Sequence, residues 1–257
     1  MQLDDYTVPK GVVYFDPFDE NGNLTGEIDL GNTPGANLSV ETTNLEHFSS
    51  RGGLNEKDRD IPLSISRNFA LTIDNISMEN LAYFIIGDVS DYVQANTPVV
   101  DEAVTVQQGR WYQLGSGITP TGVRNVSTVV VQDDTDTTTY VITDDYLVDE
   151  ALGRIFIVEG GGIADDDVLH IDYTPATETR QRVTASSTPI SGAMRVVADN
   201  PEGTNKDAYF PSVSLKPSGE MPLIASEDSW ASMGMDVGIN KKTASTPAAY
   251  FDGRAVA

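Results

Sequence analysis

The stretch "NLEHFSSRGGLNEKDRDIP", Asn44 to Pro62, holds Glu46, Arg51, Glu56, Lys57, Asp58, Arg59 and Asp60 around two adjacent glycines. It contains little that fills a core. On its N-terminal side "ANLSVET" alternates Leu38 and Val40 with Asn37, Ser39 and Glu41. On its C-terminal side "IPLSISRNFALTID" alternates Ile61, Leu63 and Ile65 with Ser64, Ser66 and Asn68. Period-two alternation marks half-buried strands. The pattern therefore predicts two strands joined by a long charged loop, and loops of that length are either functional or disordered.

Working outward, "GVVYFDPF" from Gly11 reads as an opening strand, and "DENGNLTG" as an acidic Asn-Gly hairpin turn. One stretch predicts a helix. "NISMENLAYFIIG" offers Ser77 as N-cap, Glu79 in the first turn and Gly87 just past the end. Between them Met78, Leu81, Ala82, Phe84 and Ile85 form an apolar stripe at helical spacing, read as core. Near the C-terminus Trp230, Met233, Met235, Val237 and Ile239 make a partly alternating strand, followed by a tail of small residues.

Between Val99 and Tyr173 the composition shifts to Thr, Val and Asp, with short strand-like pieces separated by Gly and Asp turns. This predicts a small β-sandwich inserted into a host domain. Thr97-Pro98 and Thr174-Pro175 serve as linkers, so that residues 98–175 form the insert and residues 1–97 and 176–257 the host. The expected class is mainly β, with one flanking helix.

Composition excludes several functions. Sixteen Lys and Arg against 39 Asp and Glu give a net charge of −23 over 257 residues, a surface that repels nucleic acid and anionic membranes. No apolar run approaches the roughly 20 residues that span a bilayer, so a soluble chain with no membrane partner is expected. The opening "MQLDDYTVPKG" lacks the basic and apolar regions of a signal peptide. With no cysteine there is no disulfide, thiolate nucleophile or zinc–cysteine site.

Nothing specifies a reaction or a cofactor. The two histidines, His47 and His170, lack a nucleophile-elbow motif. The acidic runs Asp133–Asp136, Asp144-Asp145 and Asp165–Asp167 lack the glycine and closing glutamate of an EF-hand, and read as β-turn tips. "EGGGIADDD" lacks the Gly-Lys-Ser/Thr of a phosphate loop.

The host segments, "DLGNTPGANLSVETTNLEHFSSRGGLNEKDRDIPLSISRNFALTIDNISMENLAYFIIG" and "RVTASSTPISGAMRVVADNPEGTNKDAYFPSVSLKPSG", resemble the major tail tube proteins of long-tailed bacteriophages. The resemblance covers roughly residues 11–90 and 176–255. It implies a β-sandwich with a flanking helix, joining into hexameric rings that stack into a hollow tube. The insert resembles the Ig-like or other all-β decorations carried outside such tubes. The implied partners are further copies of the chain, a tape measure protein and tail-tip or terminator proteins. Genomic DNA transits the lumen without specific binding. The implied location is the virion, after assembly in the host cytoplasm.

On this reading the loop reaches the neighbouring ring. Glu46, Arg51, Glu56, Lys57, Asp58 and Arg59 set register through mixed charge, and Gly52 and Gly53 shape the tip. The loop is expected to order on docking, and the termini to act as arms between rings. Polar positions around Glu41 and Ser64 are expected to face the lumen. The alternative from the residues alone is a monomeric β-sandwich that binds a surface carbohydrate, using Trp111, Tyr112, Tyr140 and Tyr146. A third is a glycosidase using two of the many acids.

Overall fold

The computed structural model describes residues 6–254 except Glu227. Strands β1 (Gly11–Pro17), β2 (Ile28–Asp29), β3 (Gly35–Ser49) and β4 (Glu56–Ile73) lead to helix α1 (Met78–Ile85) and strand β5 (Gly87–Gln94). Six strands follow: β6 (Val99–Thr105), β7 (Trp111–Gln113), β8 (Val126–Asp133), β9 (Tyr146–Asp149), β10 (Arg154–Ile157) and β11 (Val168–Pro175). The chain ends in β12 (Glu178–Ala185), β13 (Ser191–Ala198), β14 (Lys206–Ser218), β15 (Met233–Ile239) and β16 (Tyr250–Gly253). The protein is mainly β with one helix, as the alternation predicts.

Two compact units emerge, one from residues 1–90 and 182–257, the other from residues 91–181. The insert is wider than expected at both ends. Thr174 and Pro175 are not a linker: they belong to β11, opposite Ser127 and Val126. The flanking chain is tied to the insert by polar side chains that composition does not flag. The Gln94 amide donates to the carbonyls of Arg124 (2.8 Å) and Ala176 (2.7 Å), and Arg180 donates to Gly122 (2.7 Å).

The host unit is one antiparallel sheet in the order β2-β1-β13-β14-β15-β4-β3, with β16 also on β14. Alternate residues of its strands, including Phe15, Phe69, Leu71, Ile73, Met194, Phe210, Val213, Met235 and Val237, form a single buried core. The tail of small residues supplies β16, which pairs Tyr250 with Tyr209 and Gly253 with Lys206. Trp230 lies outside β15 and is 95% exposed, so the alternation at that end begins only at Met233.

Helix α1 lies on the core through Tyr83 and Phe84, the Tyr83 ring meeting Phe15 edge-on at 5.2 Å. Burial pushes the Tyr83 phenol up to about 12. Ser77 caps the N-terminus as predicted, accepting from the Asn80 N–H at 3.1 Å. Met78 and Ile85 of the expected stripe stay exposed, and the innermost side chain is Asn80, 1% exposed. Its amide donates to the carbonyls of Leu30 and Asn75, each at 2.9 Å, which satisfies a polar group that burial would otherwise penalise.

The C-cap differs from expectation. Ile86, not Gly87, takes the left-handed conformation, with φ 53°. Gly87 starts β5, and it is glycine for a different reason. A Cβ there would lie 2.4 Å from the Thr184 carbonyl oxygen, so only glycine allows that approach.

The insert packs two three-stranded sheets, β7-β10-β9 and β6-β11-β8, around a shared core of Leu114, Val131, Ile155, Ile157, Leu169, Ile171 and Tyr173. Its acidic runs are turn braces, as their composition suggested. Asp133 accepts from the N–H groups of Thr137 (2.8 Å) and Thr138 (3.1 Å), and Asp145 from those of Val141 (2.7 Å) and Gly162 (2.6 Å). These backbone donors hold the Asp133 carboxyl well below the usual carboxylate range and lower that of Asp145.

Candidate functional site: the β3–β4 ribbon

The charged stretch is not a loop. β3 runs on to Ser49 and β4 begins at Glu56, leaving Ser50–Asn55 as the only part outside strands. The two strands have 15 and 18 residues, far beyond the usual strand length of 3–10. At about 3.4 Å per residue, β3 spans roughly 50 Å. Residues without a core side produce no alternation, which is why polarity here imitates a loop.

Cross-strand register defines its faces. Leu38 lies opposite Phe69, Val40 opposite Arg67 and Thr42 opposite Ile65, so the face that buries Phe69, Leu71 and Ile73 continues outward uncovered. Ser39, Glu41 and Thr43 lie opposite Asn68, Ser66 and Ser64 on the other face, six positions with one acid and no cation; farther out the same face carries Leu45 with Ile61 and His47 with Arg59. The register then shifts between Thr43 and Asn44, after which Leu45 pairs with Ile61. The odd spacing from Val40 to Leu45 puts these two on opposite faces. Both faces thus carry apolar groups. Leu38, Val40, Leu45, Phe48, Ile61, Leu63 and Ile65 are 42–63% exposed.

Beyond the ladder with β4, β3 has no second partner in the sheet among the described residues, so its outer edge presents unpaired backbone groups. An open, long, partly apolar edge is a template for pairing with another chain. Leu38, Val40, Ile61, Leu63 and Ile65 alternate in the sequence as half-buried positions, and the structure leaves them exposed; Leu45 and Phe48 lie in the part read as loop.

Charges near the tip divide into two groups. Lys57 is clamped, its ammonium donating to Glu46 at 2.7 Å and Asp60 at 2.9 Å. Glu46 first, and then Asp60, hold that ammonium above its ordinary value, while Lys57 lowers the Asp60 carboxyl. Asp58 pairs with His47 Nδ1 at 2.5 Å. Arg51, Glu56 and Arg59 project from the ribbon without an ion pair among the described residues. Of the expected contact residues, then, Glu46, Lys57 and Asp58 pair within the ribbon, and Arg51, Glu56 and Arg59 are left outward.

Gly52 and Gly53 are at the tip as expected, but neither has a positive φ. A Cβ on Gly53 would meet nothing within 4 Å, and one on Gly52 only the Leu54 carbonyl oxygen at 3.9 Å. The tip does not require them. Ser77 and Gly87 belong to the helix and its exit, away from this surface in the chain. Of the termini read as arms, residues 1–5 and 255–257 lie outside the described residues.

These geometries define a class: a mainly β protein with an inserted sandwich and a long, uncovered hairpin ribbon. Within that class the chain belongs to the family described as Protein of unknown function UCP028589, whose model matches residues 6–250. No curated protein matches the chain. Among the described residues no helix is long and apolar enough to cross a membrane.

Proposed function

We propose that the chain is a structural subunit of a phage tail tube, assembling into hexameric rings that stack around a lumen through which genomic DNA passes. One observation carries this reading: the β3 edge is open over 15 residues and flanked by apolar groups exposed on both faces of the ribbon. Monomeric proteins rarely leave such a surface uncovered. Pairing of the ribbon with neighbouring copies closes the edge, and packing against them covers Leu38 and Val40 on one face and, farther out, Leu45 and Ile61 on the other.

The polar face formed by Ser39, Glu41, Thr43, Ser64, Ser66 and Asn68 is the side we assign to the lumen. Small uncharged side chains with one carboxylate and no cation give phosphates nothing to bind. Arg51, Glu56 and Arg59 at the free end then orient ring on ring. The implied partners are a tape measure protein within the lumen and terminator proteins at the ends, and the location is the virion.

Sedimentation velocity across protein concentration and salt tests self-assembly. A tube subunit gives boundaries that grow with concentration. A single monomer boundary under every condition would contradict the reading.

A second reading attaches to the insert alone. Trp111 is 45% exposed, with the Phe156 ring 5.3 Å away and the Arg154 guanidinium 5.0 Å from its centroid. Exposed indole of this kind suits a sugar ring, and a decoration that touches carbohydrate is compatible with a tube subunit. Quenching of tryptophan fluorescence by oligosaccharides, lost in Trp111→Ala, tests it.

A further inference from the structure

On the uncovered side of the β6-β11-β8 sheet, three side chains from separate segments converge. His170 points outward from the middle strand β11, between the buried Leu169 and Ile171. Its neighbours across the ladder are Ala103 on β6 and Gln132 on β8. Asp101 comes from β6, its own N–H held by Asp172 Oδ1 at 2.9 Å. Asp136 comes from the turn after β8 that Asp133 braces. Asp136 Oδ1 stands 2.8 Å from His170 Nδ1, and one ligand atom from each of the three residues lies within 4.8 Å of the others.

A single ion pair accounts for His170 with Asp136. It does not account for Asp101, a second carboxylate brought into the same few ångströms, since like charges at that range oppose each other. A cation between them resolves the arrangement. One imidazole nitrogen with two carboxylate oxygens is a mixed donor set suited to first-row transition metals, whereas calcium and magnesium take oxygen alone.

We propose that Asp101, Asp136 and His170 form a binding site for a divalent transition-metal ion of the zinc class. Three protein ligands leave coordination positions for water or for a donor from another molecule. The ion would tie β6, β11 and the β8 turn together, stabilising the insert by mass action. Nothing in this inference depends on the tube reading.

The test is calorimetric titration of the full chain with zinc chloride near neutral pH, with calcium chloride as comparison. One saturable zinc site per chain is expected, with calcium binding far weaker. His170→Asn and Asp101→Asn should each weaken zinc by more than the roughly 10–100-fold that losing an outer-shell partner costs. His47→Asn and Asp134→Asn should leave it unchanged. X-ray absorption at the zinc edge should show a single imidazole. Circular dichroism checks each variant's fold, and because Asp101 is exposed its isosteric change decides the matter if His170→Asn fails to fold. No saturable zinc binding, zinc affinity unaltered by Asp101→Asn, or binding lost with His47→Asn instead would overturn the site.

Discussion

Leu45 lies directly opposite Ile61 across the β3–β4 ribbon, and each is at least half exposed, at 57% and 50%. A cross-strand pair of this kind stabilises a sheet when something covers it. Here nothing among the described residues does, and the pair sits past a register shift that turns it to the face opposite Val40. On the tube proposal, neighbouring copies of the chain cover the ribbon at these positions.

Replacing both residues with aspartate should therefore stop assembly without unfolding the subunit. Surface substitutions of this sort change stability by about 0.5 kcal/mol or less. Sedimentation should show only monomer, with the melting temperature nearly unchanged. Growth indistinguishable from the parent protein would remove the ribbon from the interface.

Glycines at two places should behave oppositely. Gly87→Ala drives a Cβ to 2.4 Å from the Thr184 carbonyl oxygen and should destabilise by about 1–3 kcal/mol in denaturant melts. Gly53→Ala at the ribbon tip meets open space without a positive φ, and should be neutral or stabilising by about 0.4–1 kcal/mol. A stabilised Gly87→Ala would show that the strand approach is looser than described.

Asn80 is the polar residue on which the helix seat depends. Asn80→Leu keeps the branched outline of the side chain with bulkier methyl ends, and leaves the Leu30 and Asn75 carbonyls without its amide. The loss should be about 1–3 kcal/mol, read from the urea midpoint. An unchanged midpoint would mean that water replaces both bonds.

The attachment of β16 should depend on acid pH. Arg254 donates to Asp207 through Nε at 3.0 Å and through a terminal nitrogen at 2.8 Å. This pairing, ahead of the Ala198 N–H, lowers the Asp207 carboxyl below its ordinary 3.8. A group depressed in the folded state adds stability above its unfolded value and loses it as pH falls through the folded one. Amide shifts of Tyr250–Gly253, followed by NMR on the assembly-blocked double variant, should hold steady down to about pH 4 and move below it. In Asp207→Asn that acid transition should be absent.

Legibility in the sequence followed burial. β1, the inner half of β4, β11 and β15 each present one face to a core, and their alternation announces them. So does Ser77, whose capping chemistry is local. The outer ends of β3 and β4 are held by a backbone ladder, with no core beneath Glu46 or Arg59, so beyond Leu45 and Ile61 their side chains carry no period. β16 is too short and polar to declare itself before β14 pairs with it. Ile86 takes the left-handed cap because Gly87 is committed to the close approach of Thr184, a contact some hundred positions away along the chain. The ends of the insert are likewise fixed by Gln94 and Arg180, whose long-range hydrogen bonds within the 91–181 unit leave no compositional mark.

The most direct measurement is electron microscopy of the purified protein at concentrations where sedimentation shows growth, with class averages of end-on views. Rings with six-fold symmetry and an open centre, absent from the Leu45→Asp, Ile61→Asp variant, are the expected result. Monomers alone, or irregular aggregates of both proteins alike, would contradict the tube.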